Sequence, residues 1–329
     1  MTPTLRALLT GLIDYAGLFR PAKLSLDQAI RNYAAYRQCP ERWMLGKFVI
    51  PATRLQELAA FDKLFQDNPP FCFSALGRGG KNADEFLQGL AGDLAAIAAF
   101  CDRHSNNVRV DVLELKLPEE ITRPANQPLL KSTLVRAVDA IEAAGPPNFL
   151  RPYFEAALTA DWQTSMKTTH AALEYLGRLS GPPLKRYRVA GFKLRCGGLE
   201  ASAIPSPEQV AAVIFSCRDH GISFKATAGL HHPFRRFDAG LQTLMHGFMN
   251  VFCAAAFALS IDAQDDAVLK VIEDKEPRRV VFDDTHIHWG NQKVRIDDVE
   301  SSRLILATSF GSCSFDEPRD DLRALGLLP

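Results

Sequence analysis

The feature that most constrains the fold is a regular alternation of short β-rich runs and helical segments along most of the 329 residues. The strand-like runs are LIDYAGLF, KFVIPA, FCFSALGRGG, RVDVLELKLP, FLRPYFEAAL, VAGFKLRCGG, ISFKATAGL and HGFMNVF. Nearly every one of them is followed by a segment with the apolar periodicity of a helix. This alternation indicates right-handed βαβ units and a parallel sheet, within the α/β class. Eight such units favour a (β/α)8 barrel of the TIM type over an open doubly wound sheet, because no G-x-G-x-x-G follows the first strand.

The helical segments begin at residues that favour helix starts. Ser25 with Gln28 and Asn82 with Glu85 have the spacing of capping pairs. The sequence Ser206-Pro207-x-Gln209 combines an N-cap, a first-turn proline and a reciprocal cap. The G-R-G-G-K stretch at residues 77–81 lacks the G-x-x-x-x-G-K-[ST] spacing of a Walker loop, so we do not interpret it as a nucleotide site.

The character of the chain changes from about Asp262. The segment RRVVFDDTHIHWGNQKVRI predicts a β-hairpin that turns at Gly290-Asn291, and a helix is expected from Asp297, followed by the tail SFGSCSFDEP. A hairpin of this size is marginal alone. We therefore expect a barrel over residues 1–261 and a hairpin-plus-helix appendage over residues 262–329 that packs on it.

Composition excludes several classes of partner. The 38 basic and 38 acidic residues cancel, which argues against a nucleic-acid or acidic-membrane partner. Seven cysteines without a C-x-x-C pair predict reduced thiols and a cytoplasmic location. The N-terminus lacks a signal-peptide pattern, and no run reaches the ~18 apolar residues of a membrane span. The expected partner is a small anionic metabolite, and the sequence is compatible with a homo-oligomer.

Strand alternation places ionisable side chains in the mouth of the predicted barrel, where the active sites of such barrels lie. Phe192 and Leu194 are expected to face the helices, and so are their counterparts on the neighbouring strands. The inward-facing ionisable side chains of four consecutive strands are then Glu114, Lys116, Glu155, Lys193 and Lys225. The same phase directs Arg195 and Thr227 inward. A structural salt-bridge network is the alternative explanation for this set.

Two inward lysines on neighbouring strands suggest a specific chemistry. Adjacent strands lie ~4.8 Å apart, so Lys193 and Lys225 are expected to lower each other's pKa, and burial acts in the same direction. A neutral amine attacks a carbonyl to form a Schiff base, whose iminium then acts as an electron sink. Glu155 or Glu114 is expected to move the protons.

The two lysine motifs resemble a known family. FKLRCGG and FKATAGLHH resemble the sixth- and seventh-strand motifs of deoxyribose-phosphate aldolase and related class I aldolases. The resemblance implies that Lys193 forms the Schiff base and that Lys225 tunes it. The chain departs from that pattern where Leu194-Arg195-Cys196 replaces small hydroxyl residues and His231-His232-Pro233 replaces the usual phosphate-handling stretch. The motifs DYAGLF, KATAGLHHP and HGFMN resemble those of a bacterial family and imply no substrate.

The histidines provide an alternative site. His231 and His232 follow the seventh strand and His246 precedes the expected eighth, so together with Glu155 they could hold a divalent metal such as zinc or manganese. Otherwise His231 and His232 are expected to bind a substrate carboxylate or phosphate. Asp14 and Asn250 fall at the ends of the expected first and eighth strands, where they would join the rim. Cys196 is expected to be a buried structural thiol.

The hypothesis favoured by the sequence is an aldolase-like carbon–carbon lyase without a cofactor. Lys193 would form the Schiff base, Lys225 would lower its pKa, and Glu155 or Glu114 would transfer protons. The predicted substrate-binding residues are Arg195, Lys116, His231, His232, Thr227, Asp14 and Asn250. The alternatives are a metal-dependent lyase, isomerase or hydrolase, and a barrel that binds a small metabolite without turnover.

Overall fold

The computed structural model describes residues 1–66, 69–145, 150–158, 161–179, 190–260 and 265–329. Within these residues eight strands form a closed barrel with helices between them, which confirms the predicted fold class. The barrel strands are β1 (Ile13–Tyr15), β2 (Leu45–Pro51), β3 (Phe71–Leu76), β4 (Val108–Lys116), β5 (Arg151–Glu155), β6 (Gly191–Arg195), β7 (Phe224–Thr227) and β13 (Ala307–Ser312). Their order around the barrel is β1-β13-β7-β6-β5-β4-β3-β2.

Helices connect most of these strands. The α-helices of the described residues are α1 (Pro3–Leu9), α2 (Leu26–Tyr36), α3 (Ala83–His104), α4 (Glu119–Thr122), α5 (Gln127–Ala144), α6 (Trp162–Leu179), α7 (Pro207–Asp219), α8 (Phe248–Leu259), α9 (Asp265–Glu273), α10 (Ile296–Ser301) and α11 (Asp316–Ala324). A 3-10 helix over Ala52–Leu64 takes the place of the α-helix expected after β2. The predicted capping box forms at the start of α7, where Ser206 and Gln209 bond each other's backbone N–H.

The prediction of the eighth strand is wrong. HGFMNVF does not form a strand, because Phe248–Leu259 is the helix α8. Its apolar run is twelve residues long and rich in alanine, which favours a buried helix over a strand. The eighth barrel strand is instead β13, which pairs in parallel with β1 and with β7.

The C-terminal segment therefore supplies a barrel strand. The expected boundary between residues 261 and 262 lies outside the described residues. The hairpin predicted to turn at Gly290-Asn291 is confirmed as β11 (His286–Trp289) and β12 (Gln292–Arg295). A further strand, β10 (Val280–Phe282), pairs with β11 and extends the hairpin to a three-stranded sheet.

A second hairpin lies between β7 and α8. The segment RRFDAGLQTLM forms its two strands, β8 (Arg236–Asp238) and β9 (Thr243–Met245). The Asp238 carboxylate accepts a hydrogen bond from the Leu241 backbone N–H at 2.8 Å, and Gln242 has a φ of 52°. An aspartate that bonds the backbone of its own turn is typical of a tight connection, and it competes with helix formation.

The chain divides into two compact units, residues 47–193 and residues 1–46 with 194–329. In the first unit, edge-to-face aromatic contacts hold β3 against α3 and the end of the 3-10 helix. The Phe65 ring lies 5.1 Å from Phe71 and 6.2 Å from Phe100, and Phe73 lies 5.2 Å from Phe100. All four rings are buried, so this packing fixes the strand that lies beside β4.

In the second unit, the helix α8 packs against the strands β7 and β13. The Phe248 and Phe310 rings stack at 5.1 Å, and Phe252 contacts both Phe310 and Phe224. Phe310 lies on β13, so the helix that replaces the expected eighth strand packs against the true one. Among the described residues, no helix combines the length and the apolar character needed to cross a membrane.

Candidate functional site

Three strands of the unit spanning residues 47–193 bring a lysine together with two carboxylates. Glu114 pairs with Tyr153, and Tyr153 pairs with Gly191. Glu155 and Lys193 each lie two residues further along their strands, on the same face as their counterparts. The Lys193 ammonium contacts Glu114 Oε2 at 3.0 Å and Glu155 Oε2 at 2.8 Å.

A serine completes this group, which we call the Lys193 cluster (Lys193, Glu114, Glu155 and Ser74). Ser74 lies on β3, and its hydroxyl donates a 2.7 Å hydrogen bond to Glu114 Oε1. The side chains of Lys193, Glu114 and Glu155 are 6%, 2% and 7% exposed, so solvent screens their interactions little. The predicted convergence of Glu114, Glu155 and Lys193 is present in the structure.

The electrostatics of Lys193 differ from the expectation. Burial acts to lower the pKa of Lys193, but the attraction of Glu114 and Glu155 outweighs it, so the pKa is raised above its usual value. The resting side chain is therefore an ammonium. The sequence predicts a lowered pKa for Lys193 because strand phase places Lys225 on the neighbouring strand. The two carboxylate contacts raise the pKa, and their strength depends on distances that a sequence does not contain.

The second lysine is held in the unit formed by residues 1–46 and 194–329. Asp14 pairs with Gly311 across β1 and β13, and Gly311 pairs with Thr227 at the end of β7. In this frame the Lys225 ammonium bonds Asp14 Oδ2. The Ser309 hydroxyl donates to the same oxygen at 2.7 Å. We call these three residues (Lys225, Asp14 and Ser309) the Lys225 cluster, and all of them are buried.

A glycine makes room for this cluster. A Cβ atom at Gly46 would lie 2.2 Å from Asp14 Oδ1, far inside van der Waals contact. Asp14, predicted only as a rim residue, is fully buried and is the partner of Lys225. The close approach of Gly46 therefore helps to set the position of the carboxylate that binds Lys225.

The polar residues expected at the strand ends have different environments. Lys116 and Arg195 are the last residues of β4 and β6, and both are exposed. Thr227 is half-buried at the end of β7, and its carbonyl accepts a hydrogen bond from the Cys196 N–H at 2.8 Å. Substrate contacts by Lys116, Arg195 and Thr227 stay predictions, and so does the sharing of one mouth by all five ionisable groups.

The two adjacent histidines are engaged by the C-terminal helix. His232 Nδ1 lies 2.6 Å from Asp321 Oδ2, and His231 Nδ1 lies 3.5 Å from Glu317 Oε2. Both carboxylates belong to α11, which the sequence predicted only as part of a tail. The pKa of His231 is lowered by burial, against the opposing effect of Glu317. Carboxylates therefore lie where the sequence predicts that His231 and His232 bind an anion, and that role stays a prediction.

His246 and Asn250 both make structural contacts, and Asn250 does not occupy its expected rim position. His246 Nε2 lies 2.7 Å from the Pro205 carbonyl and Nδ1 lies 3.2 Å from an Arg235 nitrogen. Burial lowers the pKa of His246 to about 4, so it is neutral at physiological pH. Asn250 lies on α8, where its amide donates to the Val271 carbonyl at 2.6 Å. The prediction of a strand-end Asn250 is wrong because that strand is a helix.

The alternative metal site is not assembled in the structure. Among residues 1–66, 69–145, 150–158, 161–179, 190–260 and 265–329, no group of three or more His, Cys, Asp or Glu side chains is placed to hold a metal ion. Both ring nitrogens of His246 already have partners. The three histidines of the predicted set, His231, His232 and His246, therefore do not converge as metal ligands.

The cysteines behave as the sequence predicts. All seven are free thiols. Cys196 follows β6 directly and is fully buried, and burial raises its pKa to about 12. A buried thiol with a raised pKa is a poor nucleophile. Cys196 is therefore a packing residue, although it is next to Arg195.

The G-R-G-G-K loop lines a cavity of about 610 Å³ together with Glu85, Gln88 and Gly89. The Arg78 side chain and backbone N–H both bond Asp93, at 2.8 and 2.9 Å. The Lys81 backbone N–H bonds Glu85 at 2.9 Å. A Cβ atom at Gly80 would lie 2.3 Å from the Phe86 nitrogen, so this turn needs glycine to approach α3. These contacts explain the motif as a connection between β3 and α3.

Two functional candidates were missed by sequence reasoning. Ser74 lies in FCFSAL, where Phe71, Phe73 and Ala75 alternate with it, so strand phase alone could have identified it as an inward polar residue. Ser309 lies in a segment rich in serine and glycine that shows weak strand propensity. Once β13 is known to be a barrel strand, the same phase argument applies to Ser309.

Comparisons with known proteins add little to this geometry. No protein-family model matches the chain, and no curated protein matches it. A solved structure of an aldolase, QR15, aligns with 68% of this chain and 83% of its own, with a TM-score of 0.44 and 9% sequence identity. A likeness of this degree carries no argument about function.

Proposed function

We propose that the protein is an aldolase-like carbon–carbon lyase in which Lys193 forms a Schiff base with a small anionic carbonyl compound. The observation that carries the proposal is the contact of a buried lysine with two carboxylates, at 3.0 and 2.8 Å, on neighbouring barrel strands. Such a group supplies a nucleophilic nitrogen and proton acceptors within hydrogen-bond distance of it.

The raised pKa of Lys193 determines how the amine becomes reactive. The resting ammonium has no lone pair, so it must lose a proton before it attacks a carbonyl. Glu155 and Glu114 both contact the nitrogen, so the proton passes to one of them as the substrate carbonyl approaches. The transfer leaves a neutral amine and a carboxylic acid, while the second carboxylate stays ionised beside them.

The steps that follow balance without a cofactor. The Lys193 nitrogen bonds to the carbonyl carbon, and the carbonyl oxygen takes up one proton from that nitrogen and a second from the protonated glutamate. Water then leaves as the iminium forms. A carboxylate removes the proton of the substrate β-hydroxyl, and the electron pair of the adjacent carbon–carbon bond moves to the iminium to give an enamine and an aldehyde. The enamine is then protonated on carbon, and water releases the second product from Lys193.

Two predicted residues are suited to hold an anionic group of the substrate. Lys116 and Arg195 are exposed at the carboxyl ends of β4 and β6, the ends at which barrel enzymes bind their substrates. Guanidinium and ammonium groups bind carboxylate and phosphate through charge-assisted hydrogen bonds. Lys225 stays a predicted catalytic residue, held by Asp14, which also accepts a hydrogen bond from Ser309.

A second function is favoured by one specific observation. A lysine whose pKa is raised by two carboxylates is also what a structural ion network produces, so a barrel that binds a metabolite without turnover fits the Lys193 cluster. This function predicts ligand binding with no covalent adduct on Lys193. The metal-dependent alternative has no comparable support, because the histidines it needs are bound to other groups.

Reductive trapping tests the proposal. The protein is incubated with a panel of small aldehydes, ketones and 2-oxo acids, with and without phosphate groups, and treated with borohydride. We expect a stoichiometric mass increase that peptide mapping locates on Lys193. The absence of a Lys193 adduct across the whole panel would contradict the proposed function.

Matched variants separate chemistry from folding. Lys193→Arg keeps a cation between the carboxylates but removes the nucleophilic amine, so it should fold and give no adduct. Lys47→Met removes a half-buried lysine of β2 and should leave the adduct unchanged. Circular dichroism and thermal unfolding of each variant confirm that the comparison is made between folded proteins. An adduct that still forms in Lys193→Arg would mean that another lysine is the nucleophile.

A further inference from the structure

Ser74 is a fully buried residue of β3, and its hydroxyl donates a 2.7 Å hydrogen bond to Glu114 Oε1 within the Lys193 cluster. The other carboxylate oxygen, Oε2, contacts the Lys193 ammonium at 3.0 Å. Both oxygens of Glu114 are therefore engaged, one by a neutral donor and one by a charged donor. A carboxylate held at both ends has little freedom to turn away from the lysine.

We propose that Ser74 is a positioning residue of this site, whose hydroxyl holds the Glu114 carboxylate ionised and directed at Lys193. A part for Ser74 in catalysis rests on the proposed function. The effect of Ser74 on the charge of Lys193 does not depend on that function. The hydroxyl of Ser74 bonds the carboxylate, so it acts on the lysine through Glu114.

Physical chemistry gives the hydroxyl a defined effect. A hydrogen bond donated to a carboxylate stabilises its ionised form, and more so in a buried site. If the donor is removed, the ionised Glu114 loses part of its stabilisation, and the carboxylate either turns or takes up a proton. Both outcomes weaken its attraction for Lys193. Glu155, at 2.8 Å, remains in contact, so the lysine loses part of its stabilisation and not all of it.

The lysine itself reports this effect. In protein labelled with 15N-lysine, the Nζ resonance of Lys193 distinguishes ammonium from amine, and the Lys193→Arg variant assigns it by its loss. The titration starts at pH 7 and is followed upward until Lys193 has lost its proton, in the wild type and in Ser74→Ala. We expect the ammonium of Ser74→Ala to deprotonate about one pH unit below that of the wild type. Ser74→Thr, which keeps the hydroxyl, should titrate like the wild type.

A matched control removes a different buried hydroxyl. Thr133 lies on α5 in the same unit, and its hydroxyl is buried without a hydrogen-bond partner among the described residues. Thr133→Val should leave the titration of Lys193 unchanged. A shift of the same size in Thr133→Val would overturn the proposal, because the effect would then reflect general loosening of the unit.

The remaining outcomes are also decisive. If Lys193 loses its proton at the same pH in the wild type and Ser74→Ala, Ser74 does not position Glu114. Failure of the proposed function is a separate result. If no carbonyl compound traps on Lys193, the lyase proposal falls, while the titration still decides the role of Ser74.

Discussion

Removal of the Lys193 side chain tests the electrostatics of the cluster most directly. In Lys193→Met, Glu114 and Glu155 would stay on buried strands, with side chains that are 2% and 7% exposed in the wild type. Each lies within 3.0 Å of the lost nitrogen, so two like charges would face a single vacated position. Breaking a buried ion pair by removing one partner costs about 3–5 kcal/mol. We expect the free energy of unfolding at pH 7.5 to fall by that amount.

The same variant has a pH dependence of known sign. Without Lys193, burial and mutual repulsion disfavour the charged forms of both carboxyl groups in the folded state. The resulting loss of stability is present only while the groups are ionised, so it decreases as the pH falls. The stability deficit of Lys193→Met relative to the wild type should therefore shrink between pH 7.5 and pH 5.

Urea unfolding at these two pH values, followed by circular dichroism, measures the deficit. The double variant Lys193→Met/Glu155→Gln removes one of the two charges and should recover part of the lost stability at pH 7.5. A deficit below about 1 kcal/mol, or one that is equal at both pH values, would refute the reasoning, since either result means that the carboxylates are solvated or neutral in the folded protein.

Three further predictions concern single residues. Gly46→Ala should lower the free energy of unfolding by about 1–3 kcal/mol, because its Cβ would lie 2.2 Å from Asp14 Oδ1. The control Gly177→Ala, on α6 with open space around the added methyl group, should be neutral or stabilising. Equal thermal stability of the two variants would contradict the close approach. Cys196 should resist a thiol reagent such as dithionitrobenzoate at pH 8 in the folded protein, because burial raises its pKa to about 12, and rapid labelling mapped to it would contradict that burial. His246 should stay neutral until about pH 4 in a histidine NMR titration. Because its folded pKa is lowered, the stability it contributes is complete above its unfolded pKa and is lost as pH falls toward 4; a midpoint near the ordinary 6.5 would contradict the prediction.

Much of the barrel could be predicted because periodicity is a local property. Seven of the eight expected strands overlap a barrel strand of the structure, and the predicted hairpin turns at Gly290 as expected. The eighth strand was predicted in the wrong segment because the local composition of both α8 and β13 is misleading. The Phe- and Ala-rich run of α8 is apolar enough for a buried strand, while β13 contains small residues that signal a loop. Closure of the barrel by β13 is a tertiary fact that propensity does not encode.

At the candidate site, the sequence predicts the direction of the side chains but not the distances between them. Strand alternation correctly brought Glu114, Glu155 and Lys193 to one face, because side-chain direction follows from a period of two. It gave no information on which groups touch, so the pKa of Lys193 was expected in the wrong direction. The partners of His231 and His232 on α11 were equally out of reach, since helix docking brings together residues more than 80 positions apart.

The two lysine clusters share a pattern that bears on the choice of nucleophile. In each, a serine hydroxyl donates to a carboxylate that binds the lysine, Ser74 to Glu114 and Ser309 to Asp14. In this pattern the serine stabilises the carboxylate as an anion, and the anion holds the lysine as an ammonium. Around Lys193 the structure adds Glu155, in direct contact with the nitrogen at 2.8 Å. Glu114, held by Ser74, explains why the resting Lys193 is charged. Glu155, which also contacts the nitrogen, provides an acceptor for the proton that Lys193 must lose before it attacks a carbonyl. The same argument predicts that Glu155→Gln will reduce adduct formation on Lys193 while keeping the protein folded, since the amide side chain retains the size of the carboxylate but accepts no proton.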